Sequence, residues 1–424
     1  MTAAAPWTWA IIGVATAAVI VRPFRLPEAV WAVAGALALL ALGFISPAQA
    51  WEGVMRGHDV YLFLAGMMLL SELARREGVF DWLATLAAKQ ARGSGRRLFV
   101  WVYAVGTLVT VFLSNDATAV VLTPAVFAVA RAVGASPLPY LFICAFIANA
   151  ASFVLPISNP ANLVVWGSGM PSLAHWLALF ALPSLASIAA TYLALRYILR
   201  STIPETIAST VPEHPLGLGG RVAAGGLAVS VLVLVGCAWL RIPLGWPTLG
   251  AALGTLALLA FACGRAPWQA LRSVSWDVLP LVAGLFVFVQ ALEHTGVVGL
   301  LAASLRSAAA AWPQGAGTVL GALLGVATNL VNNLPAGLLA GASLDAAAAS
   351  GTMRAAALIG IDLGPNLSVT GSLATILWLS ALRREGLHVG AWQFLKLGLV
   401  VMPPALLSAL LVLQAAHSLH LLAP

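Results

Sequence analysis

Apolar runs of about 15 to 25 residues recur along the whole chain, as in WAVAGALALLALGF from Trp31 to Phe44. With 424 residues, of which 61% are hydrophobic and 8% charged, a soluble domain could not bury this much apolar surface. Backbone polar groups inside a bilayer must be satisfied within the chain, so an all-α polytopic membrane protein is expected. The net charge of +7 would point a soluble chain towards nucleic acid, but here the basic residues lie between apolar runs. In that position they report orientation, and no nucleic-acid partner is read from them. Cys144, Cys237 and Cys263 lie in apolar segments without C-x-x-C spacing, which argues against a disulfide framework or a thiolate metal site. His417 and His420 form the single close histidine pair, and no metal set or cofactor is assigned to them. The first apolar run has no basic residue before it and Arg22 after it, so it is expected to be a true span rather than a cleaved signal peptide.

The two halves resemble one another. DVYLFLAGMMLLSELARREGVFDWLA from Asp59 matches DVLPLVAGLFVFVQALEHTGVVGLLA from Asp277 at an offset of 218, without a gap. FIANAASFVLPISNPANLVVW, ending at Trp166, matches LIGIDLGPNLSVTGSLATILW, ending at Trp378, at an offset of 212. The pair Asn115-Asp116 correspondingly meets Asn332-Asn333. Crossings are expected near residues 7–21, 28–46, 60–74, 138–168 and 172–195, with an interfacial segment near 80–92 and a helical hairpin at 98–132. Five crossings per half make the repeats inverted, as in many secondary transporters. With the second half repeating the pattern from the opposite side, 17 of the 21 Lys and Arg residues fall on one face and 4 on the other: Arg56, Arg241, Arg306 and Arg354. The majority face is read as cytoplasmic and both termini as external. The expected organisation is a first repeat at 1–200, a cytoplasmic linker at 201–220 that includes Glu205 and Glu213, and a second repeat at 221–424. In the second repeat a hairpin is expected at about 312–350 and a broken helix at 355–380, the counterpart of the broken helix at 138–168.

Four segments concentrate polar residues inside apolar surroundings. LSNDATAVVLTP carries Ser114, Asn115, Asp116 and Thr118; VLPISNPANLVV carries Ser158, Asn159 and Asn162 between or beside Pro156 and Pro160. In the second half, ATNLVNNLPAGLLAG carries Thr328, Asn329, Asn332 and Asn333, and IDLGPNLSVTGS carries Asp362, Asn366, Ser368, Thr370, Gly371 and Ser372. Proline removes a backbone donor and glycine loosens the chain, so the second and fourth segments should split their spans into half-helices. Freed backbone groups are tolerated at membrane depth only where protein or a water-filled cavity satisfies them. An ionisable residue within a span is a functional candidate by default, which singles out Asp116 and Asp362. Ser114 or Asn115 can cap the helix that follows. No Lys or Arg lies in the four segments, a lining that suits a neutral hydroxylated solute or a cation. No nucleophile with a base and no H-E-x-x-H is present in the spans, so no enzyme activity is expected.

FLSNDATAVVLTP, NNLPAGLLAGASL, IGIDLGPNLSVTGSLATILWL from Ile359 to Leu379, and the APWQ of Ala266 to Gln269 resemble the arsenite permease family. This is the membrane component of arsenical resistance pumps, within the ion transporter superfamily, and the likeness extends over essentially the whole chain. The resemblance implies proton-driven efflux of arsenite and antimonite across the cytoplasmic (inner) membrane, in some systems with a soluble ATPase subunit. It also implies an elevator-like fold with scaffold and transport parts in each repeat, two hairpins and two broken helices. Some relatives look more acidic at the position of Asn149, and the amide here argues against a proton role there. Trivalent arsenic in neutral water is chiefly an uncharged trihydroxide, and Asn, Ser and Thr both donate and accept hydrogen bonds as it does. A soft metalloid prefers thiolates, but a lone Cys144 cannot chelate it.

The expected site therefore has the hairpin tips Ser114, Asn115, Thr118 and Asn332, Asn333 meeting Ser158, Asn159, Asn162 and Thr370, Gly371, Ser372 around one solute. Asp116 and Asp362 are expected to carry the coupling protons, since burial disfavours the charged form of a carboxyl group. A sodium-coupled di- or tricarboxylate carrier of the same superfamily is the rival reading, with sodium at Asn115 and Asn332.

Overall fold

The computed structural model describes residues 5–209 and 215–419, so Glu213 and His420 lie outside the described residues. The described residues form twenty α-helices, with a single isolated bridge, Ser94 to Thr206, outside them. In the first half α1 (Ala5–Val21), α2 (Glu28–Ala41), α3 (Pro47–Arg56), α4 (His58–Arg76) and α5 (Val79–Ala91) follow in order. Next come α6 (Gly95–Phe112) and α7 (Thr123–Ala132), joined through a π-helical turn at Ala117–Leu122. Then α8 (Leu138–Ala150) and α9 (Pro160–Trp166) flank a short turn at Pro156–Ser158, and α10 (Leu173–Ile198) closes the half.

The second half repeats this order. It runs α11 (Leu218–Trp239), α12 (Gly245–Cys263), α13 (Pro267–Ser273), α14 (Val278–Thr295) and α15 (Val297–Ala311). The hairpin pair α16 (Ala316–Val331) and α17 (Asn333–Ala346) comes next. It is followed by the interrupted pair α18 (Gly351–Leu363) and α19 (Leu373–Arg384), and then by α20 (Ala391–Ser418). The packing exchanges between halves in the same way: α4 lies on α12 and α14 on α2, α9 on α17 and α19 on α7, and α10 pairs with its counterpart α20.

Two elements escape the reading of apolar runs. The short α3 and its counterpart α13 are too polar or too brief to register as spans, yet each has a start signal. Ser46 accepts from Gln49 N at 3.3 Å while Gln49 Oε1 accepts from Ser46 N at 2.9 Å, a capping box with Pro47 at the first helical position. Pro267 takes the first helical position of α13, without a side-chain cap. Among the described residues, six helices are long and apolar enough to cross a membrane by themselves: α6, α10, α11, α12, α14 and α20. α1 and α2, read as full crossings, have 17 and 14 residues, about 25 and 21 Å of rise, short of the ~30 Å hydrocarbon core.

The first break falls where backbone groups find side-chain partners, the second at Gly364 and Pro365. α8 ends at Ala150, ahead of Pro156, and the loop carbonyls of Ser152, Leu155 and Pro156 all accept from Asn162 Nδ2, at 2.9, 3.1 and 3.3 Å. In the second half α18 stops at Leu363, before Gly364 and Pro365. α8 and α18 are buried on every face, with Pro139 to Ala150 and Met353 to Leu363 all inside the protein. Their core neighbours are aromatic: Phe146 stacks on Phe394 at 5.1 Å, and Trp378 Nε1 donates to Leu141 O at 3.0 Å. Large apolar side chains such as Phe261, Leu232 and Leu253 on α11 and α12 face outward, as a lipid-facing surface requires.

Candidate functional site

The two interrupted helices meet at Asp362. Its carboxylate, fully buried near the end of α18, lies 2.7 Å from Ser152 Oγ through Oδ2 and accepts from Asn159 Nδ2 at 2.9 Å through Oδ1. Asn159 is fixed from its other end as well, because its Oδ1 caps α9 by accepting from Ala161 N at 3.0 Å. A parallel amide bridge joins the same halves, with Asn149 Nδ2 donating to Asn366 Oδ1 at 2.9 Å and Asn366 Nδ2 to Phe146 O at 3.0 Å. The Oδ1 atoms of Asn149 and Asn162 are buried and unpartnered, so two acceptors stay open in an otherwise satisfied centre.

The first hairpin brings Asp116 to a cavity. Ser114 Oγ accepts from Ala117 N at 3.1 Å and Asn115 Oδ1 from Asp116 N at 2.9 Å, so the tip caps its own helix start as the sequence suggests. Beyond it the helix widens to π spacing ahead of Pro124, which has no N–H for the carbonyl four residues back. Thr123 Oγ1 takes over Ala119 O at 2.7 Å, and Thr118 Oγ1 pairs with Thr110 Oγ1 at 2.8 Å. The Asp116 carboxylate, half-buried, meets no donor among the described residues and faces a cavity of about 440 Å³ with Ser114, Ala117, Phe63, Leu64 and Pro160. Glu72, Arg75 and Arg384 stand at the same cavity.

The second hairpin turns at Asn332, whose φ of 73° and ψ of 155° lie in a region almost reserved for glycine. The conformation is held by Asn332 Nδ2 donating to Thr370 O at 3.2 Å and Asn333 N to Gly371 O at 2.9 Å. Thr370 Oγ1 donates to Asn329 O at 2.7 Å, and Ser368 Oγ to Asn329 Oδ1 at 2.7 Å, so Asn329 and Ser368 brace the turn without belonging to the expected set. Ser372 caps α19 through Ala374 N at 3.1 Å, and Ser158 Oγ ties its loop to Val111 O at 2.9 Å.

The expected residues fall in more than one place, Asn332 bonded to Thr370 at the second hairpin tip and Asn159 to Asp362 at the interrupted helices, and they divide by use. Ser158, Asn159, Asn162, Asn332, Thr370 and Ser372 use side-chain groups to hold the breaks and tips together. The Asp116 carboxylate, the Asn115 Nδ2 group and the Asn333 amide carry no such bond. Asp116 and Asp362 are not partners: one faces a cavity, the other is enclosed. Ser152 is the residue that sequence reading passed over; a serine three positions after Asn149 in an apolar segment gives no signal of its own.

A second cavity, of about 840 Å³, opens beside the starts of α4 and α10 and reaches Val60 and Leu163, with Arg56, His58, His175 and Arg241 around it. The cavity at Asp116 reaches Phe63 and Pro160 on the same two helices, α4 and α9. The residues lining the two spaces are three apart on each helix, Val60 and Phe63 on α4 and Leu163 and Pro160 on α9, roughly 4.5 Å of rise.

Two hairpins and two interrupted helices around buried polar groups are the architecture of a membrane transporter. A family model described as "Citrate transporter" matches residues 8–361. An arsenical pump membrane protein of Yersinia enterocolitica is 31% identical, over 84% of this chain and 86% of that protein. One from Escherichia coli (strain K12) is 30% identical over 92% of this chain and 94% of its own length. Among solved structures, the Alcanivorax borkumensis YdaH transporter matches with a TM-score of 0.57 at 18% identity, covering 88% of this chain and 89% of that one. Neisseria gonorrhoeae MtrF, described with a class of antimetabolite efflux pumps, matches at 0.54 and 12% identity, over 87% and 83% of the two chains. The two structures share the fold. The chain belongs to the arsenite permease family and is a multi-pass membrane transporter.

Proposed function

We propose that this protein exports arsenite, and antimonite by the same chemistry, across the cytoplasmic membrane in exchange for protons. The observation that carries the substrate class is the 30–31% identity to arsenical pump membrane proteins over most of both chains. The centre adds support: amides, hydroxyls and two acids with no Lys or Arg in the four segments suit an uncharged trihydroxide that donates and accepts hydrogen bonds. In this reading Asp116, Asn115 and Asn333 contact the solute from the hairpin tips, with Ser114 and Thr118 shaping the first tip. Asn332, Thr370, Gly371 and Ser372 shape the second. Ser158, Asn159 and Asn162 hold the break opposite, and Asp116 and Asp362 carry the protons.

In this reading access alternates as α9 and the hairpins move past α4 and its scaffold neighbours. The repeats, 1–200 and 221–424 around the linker 201–220, are inverted in this reading, with both termini external. Ion pairs tie arginines of each assigned face to nearby acids. Arg56 meets Glu293 at 2.8 Å and Arg354 meets Asp345 at 2.6 Å on the external side. Arg265 meets Glu77 at 2.9 Å and Arg96 meets Glu205 at 2.7 Å on the cytoplasmic side. A soluble ATPase subunit, where present, would dock on that cytoplasmic face.

The test is arsenite tolerance of a pump-deleted cell expressing the chain, with and without an ATPase subunit, together with arsenite uptake into everted vesicles. Asp116→Asn and Asp362→Asn should each abolish proton-driven uptake; unchanged transport by both would sink the coupling assignment. The second reading, a sodium-coupled di- or tricarboxylate carrier, draws on the family description as citrate transporters. It requires sodium-stimulated citrate or succinate uptake and no arsenite tolerance.

A further inference from the structure

Ser152 Oγ stands 2.7 Å from two acceptors at once, Asn149 O and Asp362 Oδ2. A hydroxyl has one proton to give, so it cannot donate to both. If it donates to Asn149 O while Asp362 is ionised, two bare oxygens face each other at that distance in a buried site. The other carboxyl oxygen offers no escape. Asn159 Oδ1 is committed to Ala161 N, which fixes the amide so that Nδ2 points at Asp362 Oδ1, an acceptor in either protonation state.

We infer that Ser152 is the positioning residue for the Asp362 proton, a hydroxyl rotor that places the proton on Oδ2 and follows its arrival and departure. With Asp362 protonated, Oδ2–H donates to Ser152 Oγ and the serine donates to Asn149 O. With Asp362 ionised, the serine turns its hydrogen to Oδ2, and Asn149 O keeps the Ser152 N–H at 3.3 Å. Both states are fully bonded, and the change is a rotation about one C–O bond with no heavy atom displaced. No charged group competes for the role. On the elements packed against α18, Asp345 pairs with Arg354 at the far end of that helix, and His175, Arg196, Lys396 and His417 make no hydrogen bond or ion pair to Asp362. The inference rests on the proton-carrying reading of Asp362 and extends it to the partner that makes loading possible in place.

The experiment is infrared difference spectroscopy of the purified full chain in lipid nanodiscs, titrated with acid, alongside arsenite uptake. The wild type should show a protonated carboxyl band that Asp362→Asn removes. Ser152→Ala should move that band to higher wavenumber, because the carboxyl O–H loses its acceptor, and should alter the pH profile of uptake. Ser152→Thr keeps the hydroxyl and should restore both. An Asp362 band that is absent at every pH, or one unmoved by Ser152→Ala, overturns the assignment. A band that behaves as described while wild-type uptake ignores the proton gradient leaves the rotor standing and removes the coupling reading instead.

Discussion

Asp362 is hydrogen-bonded by two residues of the other repeat, Ser152 and Asn159, and each can be tested by what its loss leaves behind. Asn159→Ala removes the cap of α9, about 1 kcal/mol, and strips a buried carboxyl oxygen of its donor, about 1–3 kcal/mol more. A lowered unfolding temperature of the detergent-purified protein is the expected outcome, with arsenite uptake reduced alongside. Asp362→Asn is close to isosteric, and its amide can still bond to Ser152, so the variant should reach the membrane at wild-type levels while transport falls to background. Quantifying membrane protein next to uptake separates these two effects. Both residues were visible in the sequence, since an acid and an amide beside helix breakers stand out from apolar neighbours. Ser152 was not, because its part depends on a partner 210 residues away.

At the scale of elements, the second hairpin depends on a backbone shape that asparagine tolerates poorly. Asn332 sits at φ 73° and offsets the strain with its bond to Thr370 O. Asn332→Ala keeps the strain and loses the bond, whereas Asn332→Gly relieves the strain. The glycine variant should therefore be the more stable of the two in thermal unfolding. The hairpin arm α16 lies unusually close to α18: a Cβ on Gly360 would come within 2.0 Å of Gly321 O. Gly360→Ala must push the two helices apart, and about 3 kcal/mol or more is the expected loss at a backbone contact of this kind. Its readout is the amount of folded protein recovered from membranes. Hairpins and broken helices were legible from Pro, Gly and Asn clusters; α3 and α13 were not, because short amphipathic helices leave no apolar run.

For the whole molecule, the two cavities make opposite claims about accessibility. In a background without Cys144, Cys237 and Cys263, Val121→Cys lines the cavity at Asp116 and Ala174→Cys the one beside α10. A membrane-impermeant thiol reagent should label Val121→Cys in everted vesicles and Ala174→Cys in intact cells. Labelling of both from one side would refute the inverted arrangement and the assigned orientation together. Arsenite should reduce the rate of labelling at Val121→Cys, since the reagent and the solute would share that space.

Apolar run length determined that this chain lies in a membrane, self-similarity that it repeats itself, and Pro and Gly among polar residues that it breaks two helices. These are properties of residue type and spacing, and lipid imposes them before any tertiary contact forms. The division of the polar residues into those that hold the breaks and those left free was decided only by the fold. An amide has the same chemistry whether it closes a loop, as Asn162 does, or stays open, as Asn333 does. Which it does depends on the carbonyls that packing brings within about 3 Å. The meeting of Asp362 with Ser152 and Asn159 is likewise a product of packing between repeats, since hydrogen bonds form between neighbours in space and the chain order carries no record of them.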